Sequence, residues 1–377
     1  MEEIRFGMIG GGAGAMIGDV HRIAARMDGQ FRLVAGVFST DAEKSRRFGA
    51  DLGLDPDRLY PDFDTMAAAE SARADGIRAV SIVTPNHMHA APAIAFLRHG
   101  IHVICDKPLT ASLEDAQALK AEAARADALF MLTHNYTGYP LIRQARAMVA
   151  RGDLGRIRVV QVEYLQDWLA TKAEDHGSKQ AAWRVDPARA GLGGALGDIG
   201  THGWNLASFV SGMTPSALSA DLASFGEGRV LDDHAHILMR YGSGARGSLL
   251  ISQVAAGNEN GLRLRIYGDK AGLDWSQEHP NQLWFSPLGA PRQMLTRNGA
   301  DALPEQIAAC RVPSGHPEGY LEAFANIYRE AAQMIRAKEA GKPLESLVPS
   351  LQDGLSGMEF IATAVASHQA DGAWVHL

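Results

Sequence analysis

The sequence predicts an α/β chain of two domains: a doubly wound domain over residues 1–134, and an α+β domain with a large, mostly antiparallel open sheet over residues 135–377. Three observations predict it. Apolar runs of strand length alternate with amphipathic helical stretches as far as His134, as in βαβ units. A glycine-rich segment follows the first of those runs. Beyond His134 strand-like segments succeed one another, most joined by turns too short for a helix, which makes them antiparallel neighbours. A length of 377 residues also exceeds the size at which single cores stop growing.

Ile4 to Ile9 reads as a short buried strand, followed by Gly10, Gly11, Gly12, Gly14 and Gly18 and a helical stretch from Val20 to Met27. Gly10-x-Gly12 lets the backbone turn sharply and approach a pyrophosphate, whose charge then meets a helix N-terminus. Ala15 stands where a G-x-G-x-x-G pattern has its third glycine, and Gly18-x-x-His21 looks like the usual ending displaced by three residues. Phe31 to Phe38 is the second strand. An Asp or Glu at its end would accept both ribose hydroxyls and repel a 2′-phosphate. This chain has Ser39 and Thr40 there, with Asp41 and Lys44 following. Two hydroxyls near a lysine suit the phosphate, so NADP is slightly favoured over NAD. The same hydroxyls would also cap a helix over residues 41–48.

Ala79 to Thr84 is an apolar strand of the kind buried on both faces. It leaves through Thr84-Pro85-Asn86-His87-Met88-His89 into an alanine-rich helix, and Val103-Ile104-Cys105 forms the next strand. That strand stops at Asp106-Lys107-Pro108, which puts a cation at the carboxyl end of a parallel strand, where open α/β sheets bind ligands. The proline confines Lys107 to extended geometry and so aims it. A helix over residues 113–126 and a strand over 128–132 close the domain near His134.

In the second domain, Tyr139 to Arg151 is a helix ended by Gly152, and Arg156 to Gln166 alternates as a half-buried strand does. The run Gly191 to His202 then opens a helix that continues to about Val210. Residues four apart share a helical face, so Asp198 and His202 point together, and an Asp beside a His fixes its tautomer and favours the imidazolium. Such a pair alone is more often a surface pair. After a glycine turn, and in a chain with an aimed lysine, it is a candidate proton relay. Strands are expected over residues 217–225, 234–241, 245–253, 262–268, 272–275 and 282–285, and late helices over 320–339 and 351–368, one of them packing back on the first domain. His234 and His236 share a strand face without an evident third ligand, so no metal is expected.

Composition narrows the partners. A net charge of -7 argues against nucleic acid or an anionic membrane. No apolar run is long enough to span a bilayer. The acidic N-terminus runs at once into a strand, unlike a signal peptide. Cys105 and Cys310 lack metal-type spacing, and a reduced, cytoplasmic chain accounts for them most simply.

The exit Thr84 to His89 (T-P-N-x-x-H), the later Asp106-Lys107-Pro108 in the place of E-K-P, and Gly193, Gly194, Asp198, Gly200 and His202 against G-G-G-x-x-x-D-x-G-x-H together resemble the Gfo/Idh/MocA family of NAD(P)-dependent oxidoreductases. The resemblance implies a Rossmann domain holding NAD(P)(H) through Gly10, Gly12, Ala13, Gly14, Ile17, Ser39, Thr40, Lys44, Thr84, Pro85, Asn86, His89, Asp106, Lys107 and Asn135. It implies Lys107, Asp198 and His202 as the catalytic set, joined on the substrate side by Tyr136, Trp168, Trp183 and Arg184. Asp106 keeps the charge of the family's Glu with one methylene less reach. Thr137 stands where an Arg is usual, which argues against an anionic substrate group there.

The reaction so implied moves hydride between nicotinamide C4 and a secondary alcohol or ketone of a sugar, sugar derivative or inositol. His202 would take the hydroxyl proton, since imidazole titrates near operating pH. Lys107 would stabilise the developing alkoxide, and Asp198 would orient His202 or bind the substrate hydroxyl. Dimers or tetramers through the C-terminal sheet are also implied. Two other readings use the same fold: a non-catalytic sugar-sensing regulator, which needs no proton relay, and an NAD-dependent glycosidase, which oxidises a ring hydroxyl transiently.

Overall fold

The structure, a computed structural model, describes residues 2–377. The chain divides into one unit of Met1–Asn135 with Phe324–Leu355 and a second of Tyr136–Ala323 with Ser356–Leu377.

In the first unit, β1 (Ile4–Gly10), α1 (Met16–Met27), β2 (Phe31–Val37), α2 (Ala42–Asp51), α3 (Phe63–Ala72), β3 (Ala79–Val83), α4 (Ala90–Arg98), β4 (His102–Cys105), α5 (Leu113–Ala123) and β5 (Phe130–Leu132) alternate as the apolar runs require. The strands form one parallel sheet in the order β2-β1-β3-β4-β5. Its register pairs Gly10 with Val83, Ile82 with Cys105 and Cys105 with Leu132. Consequently Gly10, Thr84, Asp106 and Thr133 all leave the sheet along one edge. The strand order reverses between β1 and β3, and such a switch point opens a crevice for a ligand.

Phe6, Phe31 and Tyr328 pack as an aromatic core, with Phe6–Phe31 centroids 5.7 Å and Phe31–Tyr328 centroids 5.5 Å apart. The edge strand is closed by the Leu132 N–H donating to the Pro349 carbonyl at 2.8 Å. Helix α1 begins at Met16, earlier than the expected Val20, because Gly18 lies inside it: a Cβ there would meet the Gly11 carbonyl oxygen at 2.5 Å. Only a glycine lets the helix lie that close to the turn. The displaced ending noted in the sequence is thus a packing requirement.

The second unit carries α6 (Pro140–Arg151), β6 (Ile157–Leu165), α7 (Lys179–Arg184), α8 (Pro187–Ala190), a π-turn over Leu196–Gly200, and α9 (Thr201–Ser211). The strands β7 (Pro215–Ala223), β8 (His234–Tyr241), β9 (Arg246–Ser252), β10 (Gly261–Gly268), β11 (Ala271–Ser276), β12 (Gln282–Pro287) and β13 (Gln293–Thr296) follow, then the short helix α10 (Pro304–Ile307). Helix α11 (Tyr320–Glu339) belongs to the first unit from Phe324 onward, and α12 (Leu351–Gln369) returns to the second at Ser356, before the last strand, β14 (Val375–His376).

The nine-stranded sheet runs β13-β12-β11-β10-β6-β9-β8-β7-β14, antiparallel except for the parallel pair β6–β9. Alternation along β6 and β8 turns Val160, Val162, Tyr164, Ala235, Ile237 and Met239 to a buried face. Helices α6 and α9 pack on that face, α9 so closely that a Cβ on Gly203 would sit 2.6 Å from Leu249. The opposite face exposes Leu238, Tyr267 and Met294. The edge strands β13 and β14 and the helix α3 lay outside the sequence reading; β13 and β14 are too short for a period, and the alanine run of α3 has no apolar stripe.

Candidate active site

On the first unit, the candidate residues cluster at the carboxyl edge of the sheet. The turn after β1 is built for a backbone approach: Gly10 and Gly14 have φ of +82° and +78°, and a Cβ on Gly12 would lie 2.4 Å from the Phe38 carbonyl oxygen. Ala13 and Gly14 are exposed at its tip, with Ile17 half-buried behind them. Asn135, 2% exposed, holds a side-chain N–H2 with no acceptor among the described residues. A bare glycine turn and an orphaned buried donor on one domain are what a dinucleotide would fill.

Ser39 accepts the Asp41 N–H at 3.1 Å, while the Asp41 carboxylate accepts the amides of Glu43 and Lys44. The cap of α2 is therefore Asp41, and the capping role weighed for Ser39 and Thr40 falls to it. The Lys44 ammonium lies 3.4 Å from Asp41 and is exposed.

After β3, Thr84 donates through Oγ1 to the Met88 carbonyl at 2.9 Å, Pro85 is half-buried and Asn86 buried. His87 is exposed. His89 is 1% exposed, with Nε2 at 2.8 Å from the Thr84 carbonyl and Nδ1 at 2.8 Å from the Pro108 carbonyl. Its ring joins the exits of β3 and β4. Asp106 likewise works inward, accepting the Lys107 N–H at 2.9 Å and the Thr133 hydroxyl at 3.0 Å. Lys107 is half-buried and its bond to Pro108 is cis. His134, buried beyond β5, is pushed down to about 4 by desolvation, with the Lys107 cation acting the same way and Asp353 against it.

On the second unit, Asp198 sits in the π-turn and His202 in the first turn of α9. The expected continuous α-helix is thus widened by a residue between them. Such bulges recur where a helix must re-aim a functional side chain. The Asp198 Oδ2 accepts the Arg184 Nε–H at 3.0 Å and the Gln253 side-chain N–H at 2.9 Å. Arg184 lies 4.2 Å from the centroid of Trp183 and 5.8 Å from that of Trp168, so both indoles flank the guanidinium that holds the carboxylate.

His202, buried, meets the Tyr136 ring edge-on with centroids 4.8 Å apart. The Tyr136 and Tyr164 hydroxyls are 2.5 Å apart, Tyr164 donates to Asn260 at 2.9 Å, and Asn260 donates to Gln277 at 2.8 Å. Burial raises both phenols, Tyr164 far above the usual range, so they are neutral hydrogen-bond partners at physiological pH. Trp168 joins this network by donating to Gln166 at 3.1 Å.

Sequence reasoning missed Gln253, Tyr164 and Asn260. The alternation of β6 was enough to turn Tyr164 inward beside Val160 and Val162; Gln253 follows β9, Asn260 precedes β10, and neither had a signal of its own. His234 and His236, with ring centroids 4.8 Å apart, lie on the uncovered sheet face, and among the described residues no group of three or more His, Cys, Asp or Glu could hold a metal.

Residues 4–134 match a family model described as an oxidoreductase family with an NAD-binding Rossmann fold, and residues 142–274 match the GFO/IDH/MocA C-terminal domain. Over its full length the chain is similar to the crystal structure of an oxidoreductase from Sinorhizobium meliloti, 52% identical with a TM-score of 0.91 and complete coverage of both chains. It is 39% identical to an inositol dehydrogenase homolog from Azotobacter vinelandii solved with NADH and myo-inositol, at a TM-score of 0.92 and covering 100% of this chain and 98% of the other. A levoglucosan dehydrogenase from Pseudarthrobacter phenanthrenivorans is 29% identical over 100% of this chain and 98% of its own length.

Proposed function

The chain belongs to the Gfo/Idh/MocA family of oxidoreductases with an NAD-binding Rossmann fold, and from that premise we propose that it is an NAD(P)-dependent dehydrogenase of a secondary alcohol on an uncharged sugar, sugar derivative or cyclitol. The observation that carries the reading is the surroundings of His202: neutral phenols and amides, with the Asp198 charge answered by Arg184. That lining suits a ligand of many hydroxyls. The myo-inositol complex of the Azotobacter relative points to the same class.

The turn from Gly10 to Gly14 with Ile17, the exit Thr84-Pro85-Asn86, and Asn135 would hold the dinucleotide, whose nicotinamide ring supplies the hydride acceptor or donor when bound. His202 takes the hydroxyl proton. Lys107 stabilises negative charge on the substrate oxygen, and Asp198, held from two sides, orients the hydroxyls. Trp168, Trp183 and Tyr136 supply flat apolar faces for the C–H side of a ring. Ser39, Thr40 and Lys44, with no acid closing β2, support NADP as the preferred dinucleotide, while the relatives solved with NAD(H) support acceptance of NAD.

The uncovered sheet face, with Leu238, Tyr267 and Met294 exposed, supports self-association through that face. Cys105 and Cys310, both free thiols, fit a cytoplasmic setting.

The test is absorbance in the reduced-nicotinamide band with NAD and NADP against aldoses, inositols and anhydrosugars. Stable accumulation of reduced cofactor with at least one of them is expected. No turnover across the panel would favour a sugar-sensing regulator instead, and product sugar without net reduction would favour a glycosidase.

A further inference from the structure

Asp232 lies just ahead of β8 and carries none of the roles assigned above. Three successive amides of the glycine turn end on it. Its Oδ1 accepts the Gly194 N–H at 2.8 Å, its backbone oxygen the Ala195 N–H at 2.8 Å, and its Oδ2 the Leu196 N–H at 2.7 Å. Leu196 opens the π-turn that contains Asp198, and no local side chain caps that turn. The contact is also sterically exclusive, since a Cβ on Gly194 would lie 2.1 Å from the Asp232 carbonyl oxygen. Asp233, next in the chain, faces other partners: its carboxylate accepts the amides of Phe225 and Gly226, and its carbonyl accepts the Gln253 N–H at 2.9 Å. Gln253 in turn holds Asp198.

We propose that Asp232 is a positioning residue for the reaction: by fixing where the π-turn starts, it sets the placement of Asp198 and His202. The proposal rests on the reading of those two residues as the proton-handling pair. The Gly194 and Leu196 N–H groups meet different carboxylate oxygens, so an asparagine would turn its own N–H2 toward one of them. Burial works against the anion, raising the Asp232 carboxyl to about 6, with Asp233 adding to it and the two amides opposing. A side chain chosen for stability alone would not keep a charge there. What the charge gives in return is a rigid start to the turn, and displacement of a reacting group by an ångström costs on the order of a hundredfold in rate.

The experiment compares the full chain with Asp232→Asn and Asp232→Glu. The readouts are kcat and KM for myo-inositol and levoglucosan, the Kd of NADH by fluorescence, and the imidazole 15N titration of His202, assigned with His202→Gln. Asp232→Asn should lower kcat by up to about a hundredfold, leave the NADH Kd unchanged, and shift the His202 signal. Asp232→Glu, with both acceptors retained, should keep more of kcat than the amide.

A kcat within about twofold of the unaltered chain together with an unshifted His202 signal in Asp232→Asn would overturn the proposal. If that variant does not fold, the His202 signal of Asp232→Glu decides in the same way. Should the unaltered chain oxidise neither polyol, the functional reading fails while the His202 titration still reports on positioning.

Discussion

Arg184 donates through Nε to the Asp198 carboxylate at 3.0 Å, and Gln253 donates to the same oxygen at 2.9 Å. The side chains are 23% and 15% exposed in the ion pair, so solvent screens it only in part. The guanidinium is planar and lies over Trp183, a geometry that an ammonium cannot reproduce. Asp198 is therefore held from two sides, by Arg184, which the family resemblance implies on the substrate side, and by Gln253, which the sequence did not single out.

Arg184→Lys should keep the charge and lose the orientation. A charge-assisted hydrogen bond is worth about 1.5–3 kcal/mol, so kcat/KM should fall by roughly tenfold to a hundredfold. Steady-state kinetics on the best polyol of the panel checks this. An unchanged kcat/KM would mean that the pair serves only to close the loop over residues 168–184.

Lys107→Ala should abolish catalysis while leaving cofactor binding nearly intact. Removal of a donor to a developing oxyanion costs about 10² to 10³ in kcat, whereas cofactor affinity rests mainly on the glycine turn and the strand exits. Turnover and NADH titration, measured side by side, separate the two effects. Equal losses in both would make Lys107 structural.

Much of this was legible beforehand, for physical reasons. Parallel strands buried on both faces must be continuous apolar runs, so β1, β3 and β4 stood out, and each ended in a residue that had to lie at the ligand edge. The four-residue spacing of Asp198 and His202 was legible, but not the π-turn that holds Asp198, which depends on where the amides of that turn find a remote acceptor. His89 shows the other limit: that the Thr84 and Pro108 carbonyls converge on its ring is visible only in the fold. Gln253 and Asp232 were illegible because each acts across the sheet on a distant segment.

Ser39→Asp should shift preference toward NAD. A carboxylate at the end of β2 would face a 2′-phosphate with like charge, worth about 1–2 kcal/mol near a surface, and so lower the NADP/NAD ratio of kcat/KM roughly tenfold. An unchanged ratio would place the adenosine ribose elsewhere.

The first unit should lose stability in mild acid. His21, His102 and His134 are each held neutral, their pKa values lowered from 6.5 to about 4, first of all by desolvation. For a base depressed in the fold, the unfolded chain gains protons first. The stability is complete above pH 6.5 and drains away as pH falls toward 4. A gap of that size is worth roughly 3 kcal/mol per histidine at full expression, less for His102, which is not completely enclosed.

Thermal unfolding followed from pH 7.5 to 4.5 should therefore show a steep fall that begins near pH 6.5. His21 offers the cleanest dissection, because its Nδ1 meets the Tyr328 hydroxyl at 2.7 Å, and that hydroxyl also meets Ser81 at 2.5 Å. An asparagine can keep one such hydrogen bond without titrating, so His21→Asn should flatten the acid limb while costing little at pH 7.5. A limb as steep as that of the unaltered chain would mean that the buried imidazole is not where the protons enter.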